Sequence, residues 1–165
     1  MDKRRKIAIG MGAGLLWGVL VIWIGATMIE IPQFSRIVVS PFFTLAPGIV
    51  LMAMIGRVAQ RRFFDETLID GQEPEPGSPC DIDLRVLRNT LEQTVLALCI
   101  WLPLSYLLLS DGLGVVMALS IAFAIARVAF WVGYHVSPPL RAFGFAATFY
   151  PTVMALLWGL LLRFT

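Results

Sequence analysis

Five apolar stretches, each near 20 residues long, constrain this chain more than any other feature. They occupy residues 7–29, 38–56, 90–109, 114–134 and 143–162. An α-helix rises about 1.5 Å per residue, so roughly 20 apolar residues match a hydrocarbon core about 30 Å thick. No water is available inside lipid to pair with backbone N–H and C=O groups, so each stretch must satisfy its own as a helix. The apolar/polar alternation of barrel strands is missing. Composition agrees, with 58% hydrophobic residues, 15% charged and a mean hydropathy of +0.81, whereas a soluble domain is about half apolar and a quarter charged. The expected fold is all-α: an integral membrane helical bundle of five spans without a separate soluble domain.

Residues 1–36 are expected to form an N-terminal transmembrane anchor helix, and residues 37–165 a four-helix membrane domain with a loop at 57–85. "MDKRRK" resembles the basic start of a signal peptide. The apolar run that follows is too long for one and lacks a convincing small-residue cleavage site. Basic residues set the orientation. Lys3, Arg4, Arg5, Lys6, Arg57, Arg61, Arg62, Arg85, Arg88, Arg127 and Arg141 fall on one side, leaving Arg36 and Arg163 of the 13 opposite. The positive-inside bias then places the N-terminus in the cytoplasm and the C-terminus across the membrane. Compact loops favour a bacterial inner membrane.

The segment 65–83 carries seven of the 11 acidic residues with three prolines and two glycines, which argues against regular structure. It is expected to be a solvated connector or a lid over a polar pocket. Cys80 is expected as a loop thiol and Cys99 as a small core residue, unpaired with each other. Gly10, Gly14 and Gly18 recur every four residues and suit close packing of the first helix on another.

The polar groups that a bilayer tolerates least gather at the basic end. Arg85, Asn89 and Glu92 are spaced i, i+4, i+7, sharing one helix face. Arg127, Phe130 and Tyr134 share a face of the next span, with Arg127 about two turns from its end. Ionisable groups at such depth need partners or a wet cavity. A plain Glu92–Arg127 ion pair locking two helices is one reading. The other is a pocket with arginines for carboxylates, a carboxylate for an ammonium, Asn89 for an amide and Tyr134 as a hydroxyl. Glutathione, with two carboxylates, one ammonium and two amides, matches that inventory. His135 has no metal-ligand companions, so no metal is expected, and neither is a nucleic-acid partner.

Arg85-x3-Asn89-x2-Glu92 at the start of one span resembles the pattern of the membrane-associated proteins in eicosanoid and glutathione metabolism, the MAPEG family. So do Arg127-x2-Phe130-x2-Gly133-Tyr134-x6-Arg141 and the basic junction "GRVAQRRFF". The resemblance covers about residues 38–162. It implies a four-helix protomer, a homotrimer, and glutathione as co-substrate, held by Arg85, Asn89, Glu92, Arg127 and Tyr134. Arg141 would stabilise its thiolate, while lipophilic small molecules and membrane lipid would be the other partners. Two positions depart from the pattern: Phe130 stands where members often have tyrosine, and Gln93 where leukotriene-synthase-like members place an aromatic. The implied function is a glutathione-dependent transferase or peroxidase acting on hydrophobic electrophiles or lipid hydroperoxides. Non-catalytic lipid-binding members of the family make a structural or lipid-binding protein the alternative.

Overall fold

The computed structural model describes residues 2–32, 38 and 40–164, so Arg36 and its connection lie outside the described residues. Five long helices follow one another: α1 (Lys3–Thr27), α2 (Leu45–Phe63), α3 (Pro79–Leu107), α4 (Gly112–Val136) and α5 (Pro138–Phe164). A short 3-10 turn, Ser40–Thr44, leads into α2, and no strand occurs among the described residues. All five helices are long and apolar enough to span a membrane. Their exposed faces carry leucine, isoleucine, valine and methionine, such as Leu16, Met52, Leu98, Ile121 and Val128, as expected of surfaces solvated by lipid.

Helix α3 begins well before the apolar stretch that identified it. Ser78 caps it, its hydroxyl accepting from the Asp81 amide at 3.3 Å, with Pro79 at the first helical position. A capping serine, a proline with φ preset for the helix and an acidic first-turn residue each favour helix initiation. Residues 79–83, expected to be irregular, are therefore helical. This extension carries Arg85 and Asn89 on a regular helix instead of a fraying entrance. Cys80 is consequently buried within α3, 4% exposed, while Cys99 is exposed, the reverse of the environments expected from sequence.

Helix α4 is the central element, packed by α1, α2, α3 and α5. Trp101 of α3 meets Phe123 of α4 edge-on at 5.9 Å and donates to Thr152 of α5 at 3.2 Å. Ser120 of α4 donates to the Phe43 carbonyl at 2.6 Å, tying the 3-10 turn to the core. Each such bond removes a polar group from an apolar interior where leaving it unpaired is costly.

Helix α1 lies against α5 and α4 through one buried stripe: Gly10, Gly14, Gly18, Val21 and Gly25. A Cβ at Gly14 would collide with Ala146 and the Ala147 amide, and one at Gly25 would meet Val115 and the Gly114 carbonyl. The four-residue glycine spacing does what the sequence suggested, bringing two backbones into direct contact.

Candidate functional site

Polar side chains of α3, α4 and α5 form a continuous run of contacts at the basic end of the bundle. Arg127 is buried to 2% exposure, and its Nη1 donates to Asn89 Oδ1 at 3.0 Å. Asn89 Nδ2 in turn donates to Glu92 Oε2 at 3.1 Å. Asn89 thus uses both ends of its amide to join a buried cation to an exposed carboxylate. Among the described residues Arg127 and Glu92 form no direct ion pair within 4.0 Å. The helix spacing set both in reach, but the intervening amide takes the contact.

The run continues along α4. The guanidinium carbon of Arg127 lies 4.0 Å from the Phe130 ring centroid, a cation–π contact that partly offsets the loss of water. Phe130 meets Tyr134 edge-on at 5.2 Å, and the Arg141 guanidinium carbon sits 4.9 Å from the Tyr134 ring centroid. Only Ser137 separates α4 from α5, so Arg141 belongs to the first turn of α5 and not to a loop. Close backbone contact makes this possible: a Cβ at Gly133 would collide with the Arg141 amide nitrogen.

Within this run, Nε and Nη2 of Arg127 are buried and make no hydrogen bond. These two nitrogens form the side-on edge of the guanidinium, the fork that matches a carboxylate. An unmet edge of a buried cation costs on the order of 1–3 kcal/mol or more. The chemistry of that edge suits an anionic group, and the exposed Glu92 carboxylate suits a cationic one.

Arg85 is drawn elsewhere. Its Nη2 lies 2.8 Å from Asp81 Oδ2 and its Nε donates to Asp81 Oδ1 at 3.1 Å, with the side chain 57% exposed. Arg85, Arg88 and Leu91 line a groove of about 690 Å³, roofed by Glu73, Pro74 and Pro76 of the acidic connector. A smaller cavity of about 380 Å³ lies between Arg57, Arg61, Leu68 and Cys80. Neither includes Arg127, Tyr134 or Arg141.

One residue escaped the sequence reading altogether. Asp83 is 1% exposed and holds Arg61 Nε at 2.5 Å, Arg57 Nε at 3.5 Å and the Trp131 indole N–H at 2.9 Å. His135 Nε2 lies 3.8 Å from the same carboxylate. The cluster joins α2, α3 and α4 beside the site. Its signal was the paired spacing of Arg57 with Arg61 and of Trp131 with His135, each one turn apart on a helix face. Among the described residues no group of three or more His, Cys, Asp or Glu side chains is arranged to hold a metal ion.

Fold and site together define a multi-pass helical membrane protein with a polar cluster at one end of its bundle. The MAPEG family model matches residues 40–161, and the chain belongs to that family. The family generally uses glutathione, and its members are typically trimeric with lipophilic substrates. The matched segment begins after α1. No significant match was found among curated proteins or among solved structures.

Proposed function

We propose that this chain is a glutathione-dependent membrane transferase or peroxidase acting on hydrophobic electrophiles or lipid hydroperoxides. The observation that carries the reading is the buried, unmet Nε/Nη2 edge of Arg127 within the run from Glu92 to Arg141. A glutathione carboxylate would complete that edge, and Glu92 would receive the ammonium. Asn89 orients both, and Arg85 would contribute on release from Asp81. Glu92 is exposed in the single protomer, so a neighbouring copy would close the cleft, in keeping with a homotrimer.

Arg141 is the catalytic residue of this proposal. It stands in the first turn of α5, where the helix dipole already favours an anion. A cation there is unfavourable for the helix by about 0.3–1 kcal/mol, but it adds to the positive potential available to a thiolate. The Tyr134 ring beneath it limits where the guanidinium can point. Glutathione supplies a thiol that is nucleophilic only when ionised, and a fixed cation lowers its pKa from about 8.5 toward neutrality. Lipid-soluble substrates would reach this end laterally from the bilayer, while glutathione arrives from the cytoplasm.

The test is a glutathione-dependent activity screen on purified protein with an aryl halide and a lipid hydroperoxide. Turnover in the wild type and its loss in Arg141→Ala, with the variant eluting at the same size, is the expected result. Wild-type rates in Arg141→Ala would overturn the assignment. The same screen addresses the lipid-binding alternative, which expects no turnover from either protein.

A further inference from the structure

We propose that α1, which lies outside the family-matched segment, is a positioning element for Arg141 and acts through Gly10. The catalytic consequence rests on the function proposed above; the positioning itself does not.

The first turn of α5 is held from two sides by glycines that admit no side chain. On the α4 side, Gly133 abuts the amide and Cα of Arg141. On the α1 side, a Cβ at Gly10 would collide with the Pro139 carbonyl and crowd the Phe143 amide and the Ala142 methyl. The residues pressed by Gly10 thus flank Arg141, Pro139 two positions before it and Ala142 and Phe143 just after it. Trp17, two turns further along α1, meets Phe143 edge-on at 6.2 Å, and Gly14 abuts Ala146. α1 therefore continues the grip beyond the first turn.

A helix first turn has few backbone bonds of its own. In α5, Pro138 and Pro139 have no N–H, leaving the Arg141 amide to close the turn on the Ser137 carbonyl at 3.2 Å. This turn carries the long side chain that must reach a reacting sulfur. A guanidinium stacked 4.9 Å from the Tyr134 ring centroid keeps that position only while the backbone beneath it stays fixed. Gly25, at the far end of the same stripe, meets α4 at Val115 and Ala118 instead. The two glycines belong to one packing surface and differ in their distance along α1 from the Arg141 turn. That difference separates positioning from general support of the fold.

The experiment compares Gly10→Leu and Gly25→Leu in the purified full-length protein, with Gly10→Ala as a milder variant should the leucine prevent assembly. Arg141 is labelled with phenylglyoxal and its modification rate followed by mass spectrometry, alongside kcat, KM and the pH profile with glutathione. In Gly10→Leu we expect faster Arg141 labelling, kcat lower by about 10- to 100-fold as for a misplacement near 1 Å, and an acid limb moved to higher pH. KM for glutathione should stay near the wild-type value, and Gly25→Leu should keep wild-type labelling and kinetics. Equal effects from the two substitutions, or unchanged Arg141 labelling in both Gly10 variants, would overturn the proposal. A wild type with no turnover would defeat the enzymatic reading alone, since the labelling contrast still decides whether α1 positions Arg141.

Discussion

Arg127 Nη1 donates to Asn89 Oδ1 at 3.0 Å across the α3–α4 interface, and the same asparagine amide donates to Glu92 at 3.1 Å. A neutral side chain therefore transmits the orientation of a buried cation to an exposed carboxylate. Asparagine suits this place because it has both an acceptor and a donor end. Aspartate would keep the first contact and turn the second into a repulsion.

Asn89→Asp tests that geometry. The new carboxylate should retain Arg127 and push Glu92 away, so the protein should stay folded. Glutathione affinity should fall about tenfold, equivalent to about 1.4 kcal/mol. Calorimetry of the variant beside the wild type, in one detergent, measures it; unchanged affinity would remove Asn89 from the site.

Asp83→Asn removes a buried carboxylate that holds two arginines and an indole. Breaking a fully buried pair costs about 3–5 kcal/mol. Arg57 and Arg61 are partly exposed, at 35% and 27%, so water recovers some of that and about 1–3 kcal/mol is expected. Thermal unfolding in detergent should show a lower Tm, with glutathione affinity largely kept in the folded protein. A Tm equal to wild type would mean the cluster does not hold α2 to α3 and α4.

Leucine at Gly14 and leucine at Gly18 should differ although both lie on the α1 stripe. A side chain at Gly14 meets the Ala147 backbone, which cannot yield, whereas at Gly18 it first meets the mobile end of Met154. Overpacking typically costs about 1–3 kcal/mol, and a flexible thioether absorbs part of it. Gly14→Leu should therefore lower Tm clearly more than Gly18→Leu. Equal losses would contradict the close backbone approach at Gly14.

Much of this architecture is legible from residues alone, because a bilayer allows so few solutions. Five apolar runs gave five helices, and the Gly10, Gly14 and Gly18 spacing gave close packing of α1 on another helix, though not that the partner is α5. The start of α3 was less visible: hydropathy marks where lipid begins, whereas Ser78, Pro79 and Asp81 mark where the helix begins. Sequence spacing likewise placed Arg127 near Glu92. It could not show that Asn89 stands between them, since that depends on the relative rotation of two helices. Asp83 was hidden for the same reason. One acidic residue at the end of an acidic connector looks solvated until three helices converge on it.

The most direct test of the central claim is calorimetric titration of glutathione into wild type and Arg127→Met. Methionine fills much of the same space without a buried charge, and it leaves no uncompensated charge behind, since the hydrogen-bond partner of Arg127 is the neutral Asn89. The account predicts saturable binding to the wild type, about millimolar or tighter, and at least roughly tenfold weaker binding to the folded variant. Heats from wild type no larger than dilution, or equal affinity in both proteins, would contradict it.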